Sequence, residues 1–259
     1  LDIRGTEALV CGASEGIGKA TALNLATKGF RVTILSRSAE KLLVLKQKLD
    51  EVNGLDNRYI AVDLSNTSEL KKSIEQLGAT TDISVVINNN AGPKAGPLWQ
   101  ASPEELLNGF TSHVIAAQTI LRILLPGMKR SGYGRIVNII STSVKAPIAG
   151  LGVSNTIRGA MANWSKTLAT ELGPEGITVN NVLPGFTSTG RLNNLIQGKS
   201  DKQNKSEAEI ISDMQKTIPI GRFAKPEETA AAIAFLVSPE ASYISGINLP
   251  VDGGRTSSL

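Results

Sequence analysis

The 259-residue chain is 41% hydrophobic and 19% charged, the balance of a globular protein with a substantial core. Its 27 basic and 23 acidic residues leave a net charge of +4, spread without a basic run, so nucleic acid is not an expected partner. One cysteine (Cys11) and one histidine (His113) support neither a disulfide framework nor a zinc cluster, and no apolar run approaches the ~18 residues of a membrane span.

The first apolar run, EALVCG (7–12), leads directly into VCGASEGIGKA and a helix-length segment. Gly12, Gly16 and Gly18 thus stand where a strand turns into a helix. Glycine there permits a tight turn and lets backbone amides approach a pyrophosphate at the helix N-terminus. Ser14, Glu15 and Ile17 complete this candidate turn.

Further β-branched runs follow: RVTILSR (31–37), RYIAVDL (58–64), SVVINNN (84–90), GRIVNII (134–140), ITVNNVLPG (177–185) and GINLPVDGG (246–254). Amphipathic segments of helix length separate them, the longest being PEELLNGFTSHVIAAQTILRILLPGMKRSG. Strands with little polar alternation are buried on both faces. Seven such signals alternating with six helix signals predict one α/β domain over 1–259, a doubly wound sheet of about seven parallel strands with helices on both faces. The polar stretch 188–223 lies beyond a strand's carboxyl end and is expected to be a mobile lid over a substrate pocket. The opening LDIRGTEALV lacks the order of a secretion signal, and a cytoplasmic setting is expected.

The spacing G-x-x-x-G-x-G resembles that of the short-chain dehydrogenase/reductase family, whose fold is Rossmann-type. NNNAGP (88–93), LLPGMKRSGYGRIVNIIS (124–141), TELGPEGITVNNVLPGF (170–186) and GINLPVDGG resemble further elements of that family in the same order. The resemblance implies that Asp63 and Leu64 meet an adenine and that Asn90, Ala91 and Gly92 line the cofactor. Thr187 and Thr189, after Pro184 and Gly185, would face the nicotinamide. At the end of the second strand stand Ser36 and Arg37 with no acid, which favours NADP(H) over NAD(H). Glu15 pulls the other way, since NADP-preferring relatives often carry a basic residue there.

In this family a Ser, a Tyr, a Lys and an Asn cooperate. Counting from Ser141, the Tyr position holds Ser154, the Lys position Arg158 and the Asn position His113, so one of the four residues is retained. This departure is similar to that of a divergent subgroup resembling β-ketoacyl-carrier-protein reductases. A serine hydroxyl is a far weaker acid than a phenol, and arginine stays protonated but can stabilise an oxyanion. His113, with an ordinary pKa near the working pH, and Lys145, on the loop after the fifth strand, are the candidate proton donors. Against these roles, His113 satisfied within its helix and Lys145 solvated both stay open. The expected function is an NADP(H)-dependent oxidoreductase acting on a small-molecule carbonyl or alcohol, with an atypical site. The alternatives are a non-catalytic dinucleotide-binding sensor or scaffold, and a dehydration or isomerisation in the same pocket. The resemblance further implies a homodimer or homotetramer.

Overall fold

The computed structural model describes residues 6–258. Seven strands form one sheet: β1 (Glu7–Cys11), β2 (Arg31–Ser36), β3 (Arg58–Ala61), β4 (Val85–Asn88), β5 (Gly134–Ile139), β6 (Ile177–Pro184) and β7 (Asn248–Val251). Their order is β3-β2-β1-β4-β5-β6-β7, and every neighbouring pair is parallel. The chain crosses from the outer strand β3 to β4, beside β1. The order therefore reverses between β1 and β4, which opens a crevice beyond their carboxyl ends.

Successive side chains of a strand point to opposite faces. Leu9, Val86, Ile136 and Val179 pack with Leu70 and Ile74 of α3 (Thr67–Thr80), and with residues of α5 (Ala116–Ser131) and α6 (Gly152–Leu172). Their neighbours Val10 and Ile34 face α1 (Gly16–Thr27), α2 (Ala39–Asn53) and α9 (Pro226–Leu236). Helix starts follow local chemistry. Ser38 accepts from the Lys41 amide at the start of α2, and Ser102 with Glu105 forms a reciprocal capping box ahead of α4 (Pro103–Phe110).

The long helical segment read after Pro103 is interrupted. Between α4 and α5, Thr111–Ile115 winds as one π-helical turn that carries His113. Such turns arise where an extra residue is accommodated in a helix, and they recur at functional sites.

The polar stretch 188–223 is not irregular. It holds α7 (Gly190–Gln203) and α8 (Glu207–Lys216), joined at Asn204 in a left-handed conformation, φ 51°. Leu192 and Ile196 pack on Ile210 and Met214, flanked by Phe186 and Phe223. These few apolar residues, diluted among charged ones, form a small core of their own and leave little periodic signal.

Across the sheet runs a polar row. Asn88, Asn138, Asn181 and Asn248 are register partners on β4, β5, β6 and β7. Each amide donates to the next: Asn88 Nδ2 to Asn138 Oδ1 (2.8 Å), Asn138 Nδ2 to Asn181 Oδ1 (3.0 Å), Asn181 Nδ2 to Asn248 Oδ1 (2.8 Å). Ser165 of α6 is within hydrogen-bond distance of both central amides. Replacing Asn138 with Leu leaves buried partners unsatisfied, at about 1–3 kcal/mol for each. Urea unfolding of Asn138→Leu is expected to show that loss with an unchanged m value. Wild-type stability would show the row to be dispensable.

Candidate active site

The glycine turn lies at the mouth of the crevice. Gly12 and Gly16 have positive φ values, 59° and 55°. A Cβ on Gly18 would fall 2.2 Å from the Gly12 carbonyl oxygen, so only glycine lets the turn close on the first turn of α1. Asn89 Nδ2 donates to that carbonyl at 3.1 Å and fastens the turn to the end of β4. The N-terminus of α1 has no side-chain cap and no acid in its first turn. Its free amides and the bare glycines fit a dinucleotide pyrophosphate.

At the outer end of the crevice, Arg37 lies 3.9 Å from Asp63, both solvated. Two hydrogen bonds from Ser65, ahead of the nearby Arg37 charge, hold the Asp63 carboxyl below its usual range. Glu15 is paired with Lys41 at 3.2 Å, which offsets its charge. Lys41 was not singled out by sequence, because nothing in the second helix marks it as facing the glycine turn. Ser14 and Ser36 are half-buried in this region, and Leu64 is buried and turned inward.

The inner end is built around a buried guanidinium. Arg158 is 5% exposed and donates from Nη1 to Ile139 O at 3.0 Å and from Nη2 to Asn90 O at 3.3 Å. Asn90 in turn donates from Nδ2 to Ser112 O, at 2.9 Å, in the π-helical turn. The end of β5, the Asn90-Ala91-Gly92 turn and the helix are thereby locked together. Among the described residues no carboxylate pairs with Arg158; loss of hydration, then the charge of Arg191, lowers its pKa to about 9. It stays protonated at neutral pH.

His113 departs from expectation. It is 6% exposed, and burial, then the Arg158 charge, pushes its pKa down to about 3. Nδ1 lies 2.9 Å from the Gly109 carbonyl, which can only accept, so Nδ1 carries the proton. Nε2 is then a bare acceptor, buried without a partner. The ring is neutral near pH 7 and is not the general acid expected of it. His113, Arg158, Asn88, Asn90, Asn138 and Cys11 border a small cavity with room for on the order of one water molecule.

Ser154 is buried on α6, one turn before Arg158. Ser141 lies two residues beyond β5, half-buried, and its Oγ accepts from the Ser143 amide at 3.1 Å. Lys145 is half-buried at the end of the 3-10 turn Thr142–Val144. No tyrosine reaches the site. Tyr133 donates to the Val237 carbonyl, Tyr59 lies exposed on β3, and Tyr243 is fully exposed.

The Pro184-Gly185 turn abuts β7: a Cβ on Gly185 would meet Asp252 at 2.7 Å. Thr187, buried, bridges to Ala224, and the Thr189 methyl would lie 3.0 Å from a Cβ on Gly16. Sequence reasoning missed Arg191. The residue is exposed, and its guanidinium rests on Gly92, where a Cβ would fall 2.3 Å from Nη2. Loss of hydration there lowers its pKa. A lone base two positions after Thr189 was the available signal, hidden by assigning the segment to a polar insert.

The family model described as Enoyl-(Acyl carrier protein) reductase matches residues 12–256. The chain belongs to the short-chain dehydrogenase/reductase family. Within that family it is 32% identical to the NADPH-dependent reductase BacG of Bacillus subtilis (strain 168) over 257 residues, 97% of this chain and 98% of the relative. It is 30% identical to the 3-oxoacyl-[acyl-carrier-protein] reductase FabG of Aquifex aeolicus (strain VF5) over 259 residues, 98% of each. The crystal structure of YwfH, an NADPH dependent reductase involved in bacilysin biosynthesis, superposes with a TM-score of 0.93 at 31% identity, covering 98% of this chain and 100% of that one.

The neutral histidine can be checked directly. The chain has one histidine, so the ring gives one set of NMR signals in tag-free protein. Those signals are expected to stay constant between pH 8 and pH 5, because the folded value of about 3 lies far below the ordinary 6.5. The unfolded chain takes up this proton below 6.5 and the folded chain does not, so His113 erodes stability as pH falls from 6.5 toward 3. A titration midpoint above pH 6 would contradict the buried, neutral assignment.

Proposed function

We propose that this member of the family is an NADP(H)-dependent oxidoreductase interconverting a small-molecule carbonyl and its alcohol, with arginine where the family carries lysine and no tyrosine in the proton step. The observation that carries the reading is Arg158, a buried cation held by two carbonyls and set beside the dinucleotide crevice. NADPH dependence in BacG and YwfH supports the cofactor assignment, as does Arg37 with no acid at the end of β2.

Gly12, Ser14, Glu15, Gly16, Ile17 and Gly18 would receive the pyrophosphate, and Ser36 with Arg37 the 2′-phosphate. Asp63 and Leu64 would border the adenine. Asn90, Ala91 and Gly92 would line one wall, and Pro184, Gly185, Thr187 and Thr189 the nicotinamide side. When bound, the nicotinamide supplies or takes up hydride. Ser141 and Ser154 orient the reacting oxygen, and the N–H groups of Arg158 not used on Ile139 and Asn90 stabilise negative charge on it. With His113 neutral, water in the cavity beside Arg158 carries the proton, and Lys145 is the remaining side-chain donor. Losing a phenolic acid lowers turnover by about 10²–10⁴-fold, so a slow reductase is expected.

The reading also includes one domain with 188–223 as a lid, a cytoplasmic setting and a homodimer or homotetramer. Exposed Leu107, Phe110 and Ile115 around α4 and the π-helical turn support self-association. Among the described residues no helix is long and apolar enough to cross a membrane.

Calorimetric titration tests the assignment. NADPH is expected to bind more tightly than NADH, and Arg37→Ala to weaken NADPH by about tenfold while leaving NADH unchanged. Equal binding of both cofactors by wild type, or of neither, would refute it.

A further inference from the structure

The reductase reading accounts for the cofactor's own charges and sets Arg158 beside the reacting oxygen, and it leaves Arg191 without a role. The pyrophosphate has the glycine turn and the uncapped start of α1, and the 2′-phosphate has Arg37. Arg158 and Arg191 lie at the other end, close enough that the charge of Arg191 acts on both Arg158 and His113. Among the described residues neither guanidinium has a carboxylate partner: Arg158 is bound only to carbonyls, and Arg191 rests on the bare Cα of Gly92. Arg158 is buried, and Arg191, although an exposed residue, loses part of its hydration at the guanidinium, so two like charges stand close together and an anion would relieve them.

A second observation points the same way. His113 Nε2, on a ring 6% exposed, is a buried acceptor without a partner on the wall that Arg158 shares. It adds no negative charge, and it would accept a hydrogen bond from a hydroxyl or a water. Among the described residues no aspartate or glutamate borders the cavity that Arg158 and His113 share, and Arg191 stands outside its lining, on the Gly92 turn. The inner end of the crevice thus offers two cations and one neutral acceptor.

We propose that the substrate of this site is a carboxylic acid, an oxo acid in one direction and its hydroxy acid in the other, whose carboxylate is held by Arg191 with Arg158 behind it. The proposal rests on the reductase reading for the location of the reacting carbon. Gly92 is part of the device: with hydrogen in place of Cβ, it lets the guanidinium lie flat against the turn that borders the reacting centre. Arg191 sits in the first turn of α7, so the anion would tie that helix to the Gly92 turn. The carboxylate would make charge-assisted, two-pronged contact that an ester cannot.

The test uses matched pairs on the full chain, with and without saturating NADPH: benzoylformate, acetoacetate and levulinate, each against its methyl ester, read by calorimetry and thermal shift. At least one acid is expected to bind about tenfold or more tightly than its ester. Arg191→Gln is expected to erase that preference while NADPH affinity changes less than about twofold. If no acid outperforms its ester, the proposal fails. If Arg191→Gln instead loses NADPH affinity, the guanidinium serves the cofactor phosphates and the proposal also fails. Absence of NADPH binding by wild type sinks the reductase reading separately, because the acid-to-ester ratio is read without cofactor as well.

Discussion

Asn88, Asn138, Asn181 and Asn248 stand side by side on four parallel strands, and each side-chain amide hands a hydrogen bond to the next. A parallel sheet buried on both faces has little side-chain patterning to fix register, since apolar residues satisfy either face. A row of amides supplies what the apolar residues lack, because a one-residue slip would leave buried donors and acceptors unmatched. Asn138 and Asn181 are at most 2% exposed, so such a mismatch would be paid without help from solvent. The strand ends held this way deliver Asn90, Ser141 and the Pro184-Gly185 turn to the crevice.

From that frame the site follows by short steps. Arg158 ties the last carbonyl of β5 to the turn after β4, and Asn90 ties the same turn to the π-helical segment. A lysine at position 158 would bring a single ammonium group, whereas the guanidinium fork can satisfy two backbone carbonyls and still present N–H groups. The same cation discourages a second positive charge nearby, which is one reason His113 remains neutral. The chemistry of this pocket is therefore that of a fixed cation beside a neutral acceptor, in place of a phenol whose acidity is tuned by an ammonium.

Much of this was legible in the residues. Buried β-branched runs gave the seven strands, and the three glycines gave the turn between β1 and α1, because both signals are local. Ser154 and Arg158 are recognisable as replacements because the family resemblance, counted from Ser141, sets a Tyr and a Lys at those two positions. The charge state of His113 was not legible: it depends on Gly109, on burial and on Arg158, none of which an isolated histidine reveals. Arg191 was hidden for a related reason, since α7 and α8 hold together through Leu192, Ile196, Ile210 and Met214 within an otherwise polar stretch. The glycine that receives its guanidinium, Gly92, lies about a hundred residues earlier in the chain and was read only as cofactor wall.

Hydride transfer at a pocket without tyrosine is the central claim, and isotope tracing tests it most directly. Protein supplied with NADPH carrying deuterium at the transferring position of C4, and with a panel of carbonyl compounds, is expected to place that deuterium on the former carbonyl carbon of at least one product, as read by mass spectrometry. Deuterium retained in the cofactor with every compound, by protein that binds NADPH, would contradict the account.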